Sequence, residues 1–323
     1  MVVVRGARGY AESQELAIEN LREAAPRLRS SRGWGVQAAI IFMSVDPACL
    51  NSVARIARAA GAAAMRYYGS ASAQAKSDSS PVTLADHAAN DVITRELRAQ
   101  FPEDPILSEE SADSPERFAA QRLWIVDPLD GTKEFIAQNG EFAVMIGLAV
   151  AGEAVLGVVY LPESGALYGA ARGMGAWVEH DGRRHPLARM PLSQGAVPRL
   201  VVSRSHGHSL TARIQASLGI KDATVAGSVG VKCARIAANT QDFYVHPGPY
   251  LKEWDTCAPE VLVREAGGVV SDCLGNPLRY NKPHPVQPHG VMAVAPGLFP
   301  QVQPMVSALY SERQARTMSA YAS

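Results

Sequence analysis

The chain has 323 residues, with 31 Lys and Arg against 31 Asp and Glu, so its formal net charge is zero. That balance excludes the strongly basic surface of a dedicated nucleic-acid binder, and a composition 47% hydrophobic and 19% charged excludes a disordered chain. The longest apolar run, Phe142 to Gly152, is far shorter than the roughly 20 residues of a spanning helix, which gives a cytoplasmic globular protein with no transmembrane segment and no nucleic-acid partner.

Residues 1–42 differ from the rest and carry Arg5, Arg8, Arg22, Arg27, Arg29 and Arg32. They read as a dispensable extension, or as a mis-assigned start with Met43 as the first residue. From Leu50 to Ala64 small and apolar residues recur at helical spacing. Residues 70–80 form a polar, small-residue loop. A helix is predicted over 83–101, with Thr83 as cap and Asp86 three residues on, a spacing like that of a capping box. Leu123–Val126 is a short apolar strand that delivers Asp127 at its end, and Pro128 favours a turn there. The apolar runs Ala143–Val150 and Ala154–Leu161 predict a hairpin, and Leu200–Ser203 another strand. A helix over 258–266 ends at Gly267-Gly268, and a strand starts at Gly268. Helices and strands mix without strict βαβ alternation, which favours a layered α/β or α+β fold over a barrel. Cys49, Cys233, Cys257 and Cys273 show no C-x-x-C spacing and read as free thiols.

The most informative segment is Asp127-Pro128-Leu129-Asp130-Gly131-Thr132. Two carboxylates this close repel unless a cation lies between them. Hard divalent cations such as Mg²⁺ take carboxylates, backbone carbonyls and water as ligands, and one turn offers Asp127, the Leu129 carbonyl and Asp130. Gly131 lets the backbone approach a ligand, and Thr132 adds a hydroxyl. Glu109-Glu110, after the apolar Ile106-Leu107, and Asp255, at a helix start where the dipole favours an acid, can complete the set. His87 lacks a His-Glu-x-x-His pattern and reads as structural. His206-Gly207-His208 is too weak a pattern for a metal pair, and Trp254 reads as packing that positions Asp255.

Glu109-Glu110-Ser111, Asp127 to Thr132, and Trp254-Asp255-Thr256-Cys257-Ala258 occur in the order and spacing of one family. From about residue 45 to about 300 the chain resembles the inositol monophosphatase superfamily of Mg²⁺-dependent phosphomonoesterases. Within it, the segments Ser80–Asp86, Asp130–Phe135, Asn139–Phe142 and Ser203–His206 resemble the 3′(2′),5′-bisphosphate nucleotidase branch of the CysQ type. Lys133-Glu134-Phe135 stands where inositol-type members usually read x-Asn-Phe.

The resemblance implies a layered αβαβα sandwich. A first α+β part over 43–198 would carry most metal ligands. A second α/β part over 199–310 would carry Asp255 and the substrate pocket, followed by a tail over 311–323. It implies that Glu109, Asp127, the Leu129 carbonyl, Asp130 and Asp255 hold two or three Mg²⁺ ions and face the substrate. Thr132 would orient the attacking water, with Asp86 supporting it as base. Lys76 and Asp78 would lie in a loop near a third metal region. Gly131 and Thr132 would offer N–H groups to the phosphate. Ser203, Arg204, Ser205 and His206 would contact the nucleotide, with Arg204 near a second phosphate. Gly227 to Lys232 resembles a G-S-x-x-x-K segment whose Ser228 and Lys232 line the pocket. The implied reaction removes the 3′-phosphate of adenosine 3′,5′-bisphosphate, a by-product of sulfate assimilation, giving AMP and phosphate. The implied partner is this small phosphate ester; the sequence does not give the oligomeric state and leaves a homodimer open. Relatives are sometimes assigned to the inner membrane face, although no anchor is encoded here. The alternatives are an inositol monophosphate or fructose 1,6-bisphosphate phosphatase on the same metal site, and a non-catalytic nucleotide-binding module.

Overall fold

Pro47–Met65 (α1) and Leu84–Gln100 (α2) pack together as the first layer. The computed structural model describes residues 45–70, 74–75, 81–187, 196–204 and 209–321. The segment 1–42 and most of the 70–80 loop, with Lys76 and Asp78, therefore lie outside the described residues. Helix α1 buries the expected stripe, including Leu50, Val53, Ile56, Ala57, Ala60 and Ala64. Helix α2 starts at the predicted cap. Thr83 Oγ1 accepts from the Ala85 N–H at 3.1 Å, and the Asp86 carboxylate accepts from the Thr83 N–H at 2.8 Å, the reciprocal pattern of a capping box. Gln74–Ala75 (β1) and Pro81–Val82 (β2) pair just before α2.

The second layer is a seven-stranded sheet in sequential order. It contains Ile106–Ser108 (β3), Arg122–Asp130 (β4), Ala143–Val150 (β5), Glu153–Leu161 (β6), Ala166–Ala171 (β7), Gly175–His180 (β8) and Arg183–Leu187 (β9). Only β3 and β4 pair in parallel; the other neighbours are antiparallel. The predicted β5–β6 hairpin turns at Ala151 and Gly152, with φ of 51° and 78°, the left-handed pair of a tight hairpin turn. Strand β4 does not stop at Asp127 as the sequence suggests. It continues to Asp130 through a register shift between those two residues. Pro128 brings no ladder N–H and is tolerated at such an irregularity.

The remaining layers are helical, sheet and helical. Val229–Ala237 (α5) and Glu253–Glu265 (α6) pack between the two sheets, with a shared apolar core running from Leu123 and Ile125 to Tyr244 and Ala293. The five-stranded sheet comprises Leu200–Ser203 (β10), Thr224–Ala226 (β11), Phe243–His246 (β12), Val269–Ser271 (β13) and Val291–Val294 (β14), ordered β11-β10-β12-β14-β13. Ser209–Ser217 (α4) and Phe299–Tyr321 (α7) cover its far face through Leu210, Ile214, Val302 and Val306. Helix α7 takes in residues 311–321, read from the sequence as a tail. The layered α-β-α-β-α arrangement implied by the resemblance is the one found. All strands of the first sheet fall within 106–187 and all strands of the second within 200–294, inside one compact unit over 47–323.

Helix α6 starts at Glu253, earlier than predicted, and holds Pro259 in its interior. Read locally, a proline marks a helix start, because it removes an N–H from the interior and crowds the carbonyl four residues back. Docking on the sheet overrides that. Gly147 of β5 and Gly157 of β6 face each other across the ladder, and together they form a trough for α6. A Cβ on Gly157 would lie 2.3 Å from the Ala258 carbonyl oxygen, and one on Gly147 would lie 2.6 Å from Cys257 Sγ. Cys233, Cys257 and Cys273 are buried free thiols. Among the described residues no helix is long and apolar enough to cross a membrane.

Candidate active site and metal centre

The irregularity in β4 lies between Asp127 and Asp130, and the first turn of α6 brings Asp255 to them. One carboxylate oxygen from each of the three lies within 4.8 Å of the others. Asp127 is 1% exposed. Burial, and then the charges of Glu109, Asp130 and Asp255, push its carboxyl well above the ordinary range. Asp255 is raised strongly by burial, then by Asp130 and Glu109, even though it accepts from the Lys252 N–H at 2.5 Å. Asp130 is also raised by burial, against the opposing pull of Lys232 and the hydrogen bonds from Ser228 and Gly230. Glu109 follows β3, its N–H bonded to the Val126 carbonyl of β4 at 3.2 Å, and both Asp127 and Asp255 feel its charge. The Leu129 N–H donates to Asp127 Oδ1 at 3.0 Å.

Buried, mutually repelling oxygen donors of this kind fit a hard divalent cation. The linkage has a definite sign. A raised folded-state pKa gives these acids a stabilising contribution that is complete below the ordinary carboxylate pKa of about 4 and is lost as pH climbs through the raised values. A cation binds the deprotonated form. Thermal melts should therefore show little Mg²⁺ stabilisation at pH 5 and a larger upward shift at pH 8. A larger shift at pH 5 would contradict the assignment of the cluster as a cation site.

Asp130 is held from below. Ser228 Oγ donates to its Oδ2 at 2.5 Å and the Gly230 N–H at 2.8 Å, while Ser228 Oγ also accepts from the Val231 N–H at 3.1 Å as the cap of α5. Lys232 is 2% exposed. Its ammonium donates to the Gly227 carbonyl at 2.7 Å and lies 5.1 Å from the centre of the Tyr244 ring. Burial lowers its pKa to about 8, with Asp130 opposing. Ser228 thus bonds Asp130 directly and the buried Lys232 acts on it through its charge; the sequence pattern has both lining the substrate pocket.

Gly131, with φ of 98°, turns the chain from β4 into the short helix Thr132–Ile136 (α3). Thr132 Oγ1 donates to Asp86 Oδ1 at 2.9 Å, and the Leu129 carbonyl lies 3.4 Å from it. Asp86 Oδ2 accepts from the Thr83 N–H at 2.8 Å and from Thr83 Oγ1 at 2.7 Å. The cap of α2 therefore also holds the carboxylate that orients Thr132.

Ser203 ends β10, and the exposed Arg204 follows it. Arg204 donates to Glu141 Oε2 at 2.5 Å and lies 3.4 Å from Glu134 Oε2. Glu141 also accepts from the Gly227 N–H at 2.9 Å and from Arg235 at 2.9 Å. Sequence reasoning used Glu134 and Glu141 only as marks of a branch, and their position in the segments Lys133–Phe135 and Asn139–Phe142 was the available signal. Ser205, His206 and His208 lie outside the described residues. His87 is exposed on α2, and Trp254 packs half-buried against the central core. A buried bridge that sequence reasoning missed joins the segment after Glu109 to the start of α6. Arg117, 1% exposed, forks onto Asp113 at 2.6 and 2.9 Å and donates to Asn281 Oδ1 at 2.8 Å. The Glu253 carboxylate accepts from the Asn281 and Lys282 N–H groups at 2.7 and 3.0 Å.

The inositol monophosphatase family model matches residues 46–306. The chain is 41% identical to the 3′(2′),5′-bisphosphate nucleotidase CysQ of Escherichia coli O157:H7 over 235 residues, 72% of this chain and 93% of that protein. The crystal structure of CysQ from Bacteroides thetaiotaomicron matches with a TM-score of 0.64 at 34% identity, covering 76% of this chain and 97% of that one. The extragenic suppressor protein suhB of Bartonella henselae matches with a TM-score of 0.67 at 27% identity, over 80% and 98% of the two chains. On the extent of the family match and the identity to CysQ, the chain belongs to the inositol monophosphatase family.

Proposed function

We propose that the chain is a 3′(2′),5′-bisphosphate nucleotidase that hydrolyses the 3′-phosphate of adenosine 3′,5′-bisphosphate to AMP and phosphate. The observation that carries this is the convergence of Asp127, Asp130 and Asp255 within 4.8 Å, beside a Thr132 hydroxyl already committed to Asp86. The identity to CysQ supports the nucleotide over an inositol ester.

Glu109, Asp127, Asp130, Asp255 and the Leu129 carbonyl would hold two or three Mg²⁺ ions. Held there, the ions would supply charge to neutralise the phosphate, lower the pKa of the attacking water and stabilise the leaving oxygen. The protein's own groups do the positioning. The N–H groups of Gly131 and Thr132 bind phosphate oxygens. Thr132 Oγ1 donates a hydrogen bond to Asp86 Oδ1 and keeps a lone pair to accept one from the water, which orients the water toward phosphorus. As the water oxygen bonds to phosphorus, its proton moves to Thr132 Oγ1 and the Thr132 proton moves to Asp86. The bond from phosphorus to the ribose 3′ oxygen breaks, and that oxygen leaves with the electron pair and takes a proton from solvent. Arg204, steadied by Glu141 and Glu134, would contact the second phosphate from the end of β10, next to Ser203. In this reading the part before residue 198 supplies most ligands, and the part after it supplies Asp255 and the nucleotide pocket.

Mg²⁺-dependent release of one phosphate from adenosine 3′,5′-bisphosphate, with AMP as the other product, tests the reading. The water-orienting step has its own test. Thr132→Val should lower kcat about 100-fold, at the low end for a proton-transfer contact, while Mg²⁺ half-saturation stays near wild type. Thr132→Ser should restore most of the rate. A Thr132→Val enzyme with wild-type kcat would remove Thr132 from the mechanism.

A further inference from the structure

Asn90 lies four residues beyond Asp86 on α2 and is 6% exposed. Asparagine is a poor helix former in a helix interior, because its amide competes for backbone groups. Here the amide serves neither the helix backbone nor solvent. Its Oδ1 accepts from Ser108 Oγ at 2.6 Å, and its Nδ2 donates to Ser111 Oγ at 3.1 Å. Ser108 and Ser111 flank Glu109 and Glu110 in the chain. The Ser111 N–H bonds back to the Ser108 carbonyl at 3.3 Å and closes the turn. The Glu109 N–H is fixed to Val126 of β4 at 3.2 Å. One buried amide therefore pins both ends of the turn that presents Glu109. Among short side chains, only a carboxamide combines a donor and an acceptor in one planar group.

We infer that Asn90 is a positioning residue that aims Glu109 at the cation cluster; the inference rests on the metal-site reading above. Helix α2 then sets two parts of the site from successive turns, with Asp86 on the Thr132 hydroxyl and Asn90 on the Glu109 turn. A partner that orients a ligand in this way is worth about 10- to 100-fold in metal affinity.

The test is Mg²⁺ binding to the full chain by titration calorimetry, alongside steady-state kinetics. Asn90→Ala is expected to weaken Mg²⁺ binding by about 10- to 100-fold. At saturating Mg²⁺ the KM for the phosphate ester should stay near wild type and most of kcat should return. Ser108→Ala and Ser111→Ala should each weaken binding less, and Asn90→Ala combined with Ser108→Ala should be little worse than Asn90→Ala alone. Thr94→Val is the control, since Thr94 is buried on the same helix and bonds the Asn90 carbonyl but not the turn. It should lower the melting temperature and leave Mg²⁺ affinity unchanged. If Asn90→Ala does not fold, Ser111→Ala, at a half-buried turn position, carries the test. Wild-type Mg²⁺ affinity in folded Asn90→Ala, or an equal loss in Thr94→Val, would overturn the inference. A wild-type chain that binds no Mg²⁺ would overturn the metal-site reading itself, a result distinct from either of those.

Discussion

Asp127→Asn is expected to lower Mg²⁺-dependent phosphate release by about 10³- to 10⁴-fold and, in chelator at pH 8, to raise the melting temperature. The rate loss follows from removing one charged ligand. Stabilisation of charge at a metal centre is worth several kcal/mol, and about 4–5 kcal/mol corresponds to that factor at 1.36 kcal/mol per decade. The stability gain comes from the same charge. Asp127 is buried, and its ionised form is opposed by Glu109, Asp130 and Asp255. Asparagine keeps an Oδ1 to accept from the Leu129 N–H and loses the repulsion. Functional sites commonly trade stability in this way. Phosphate-release assays and melts with and without Mg²⁺ check both halves. A variant that is both active and less stable would contradict the site.

Gly157→Ala should destabilise the protein by about 3 kcal/mol, the upper end for overpacking, which for a chain of this size is a fall in melting temperature of about 4–5 °C. The new methyl would meet the Ala258 carbonyl oxygen at 2.3 Å and its Cα at 2.8 Å. These are backbone atoms of α6, so no rotamer change relieves the clash. Gly147→Ala should cost less, because the nearest atom there is the Cys257 sulfur. Since α6 carries Asp255 three residues before Ala258, the folded fraction of Gly157→Ala should also bind Mg²⁺ more weakly. A Gly157→Ala protein with wild-type melting temperature and Mg²⁺ affinity would show that the glycine trough does not set α6.

Features written in contiguous residues were legible in the sequence. The Thr83–Asp86 cap, the β5–β6 hairpin and the run from Asp127 to Thr132 each need only neighbours along the chain. Elements whose shape depends on distant packing were not. Pro128 and Pro259 both read locally as interruptions, yet the sheet carries β4 to Asp130 and the glycine trough carries α6 back to Glu253. Strands such as β12, four residues and all buried, lack an alternating pattern, because a strand covered on both faces has none to show. The supports of the site were hidden for the same reason. Arg204 meets Glu141 across 63 positions, and Ser228 meets Asp130 across 98. The burial of Lys232 is a consequence of where α5 packs, which a G-S-x-x-x-K pattern cannot express.

The central claim is tested most directly by comparing phosphate release from adenosine 3′,5′-bisphosphate and from inositol 1-phosphate, with Mg²⁺ and with chelator, using Asp127→Asn as control. The account predicts Mg²⁺-dependent turnover with a strong preference for the nucleotide, AMP as product, and loss of that activity in the variant. A preference for the inositol ester would leave the metal site standing and contradict the nucleotide specificity, and release from neither substrate would contradict catalysis altogether.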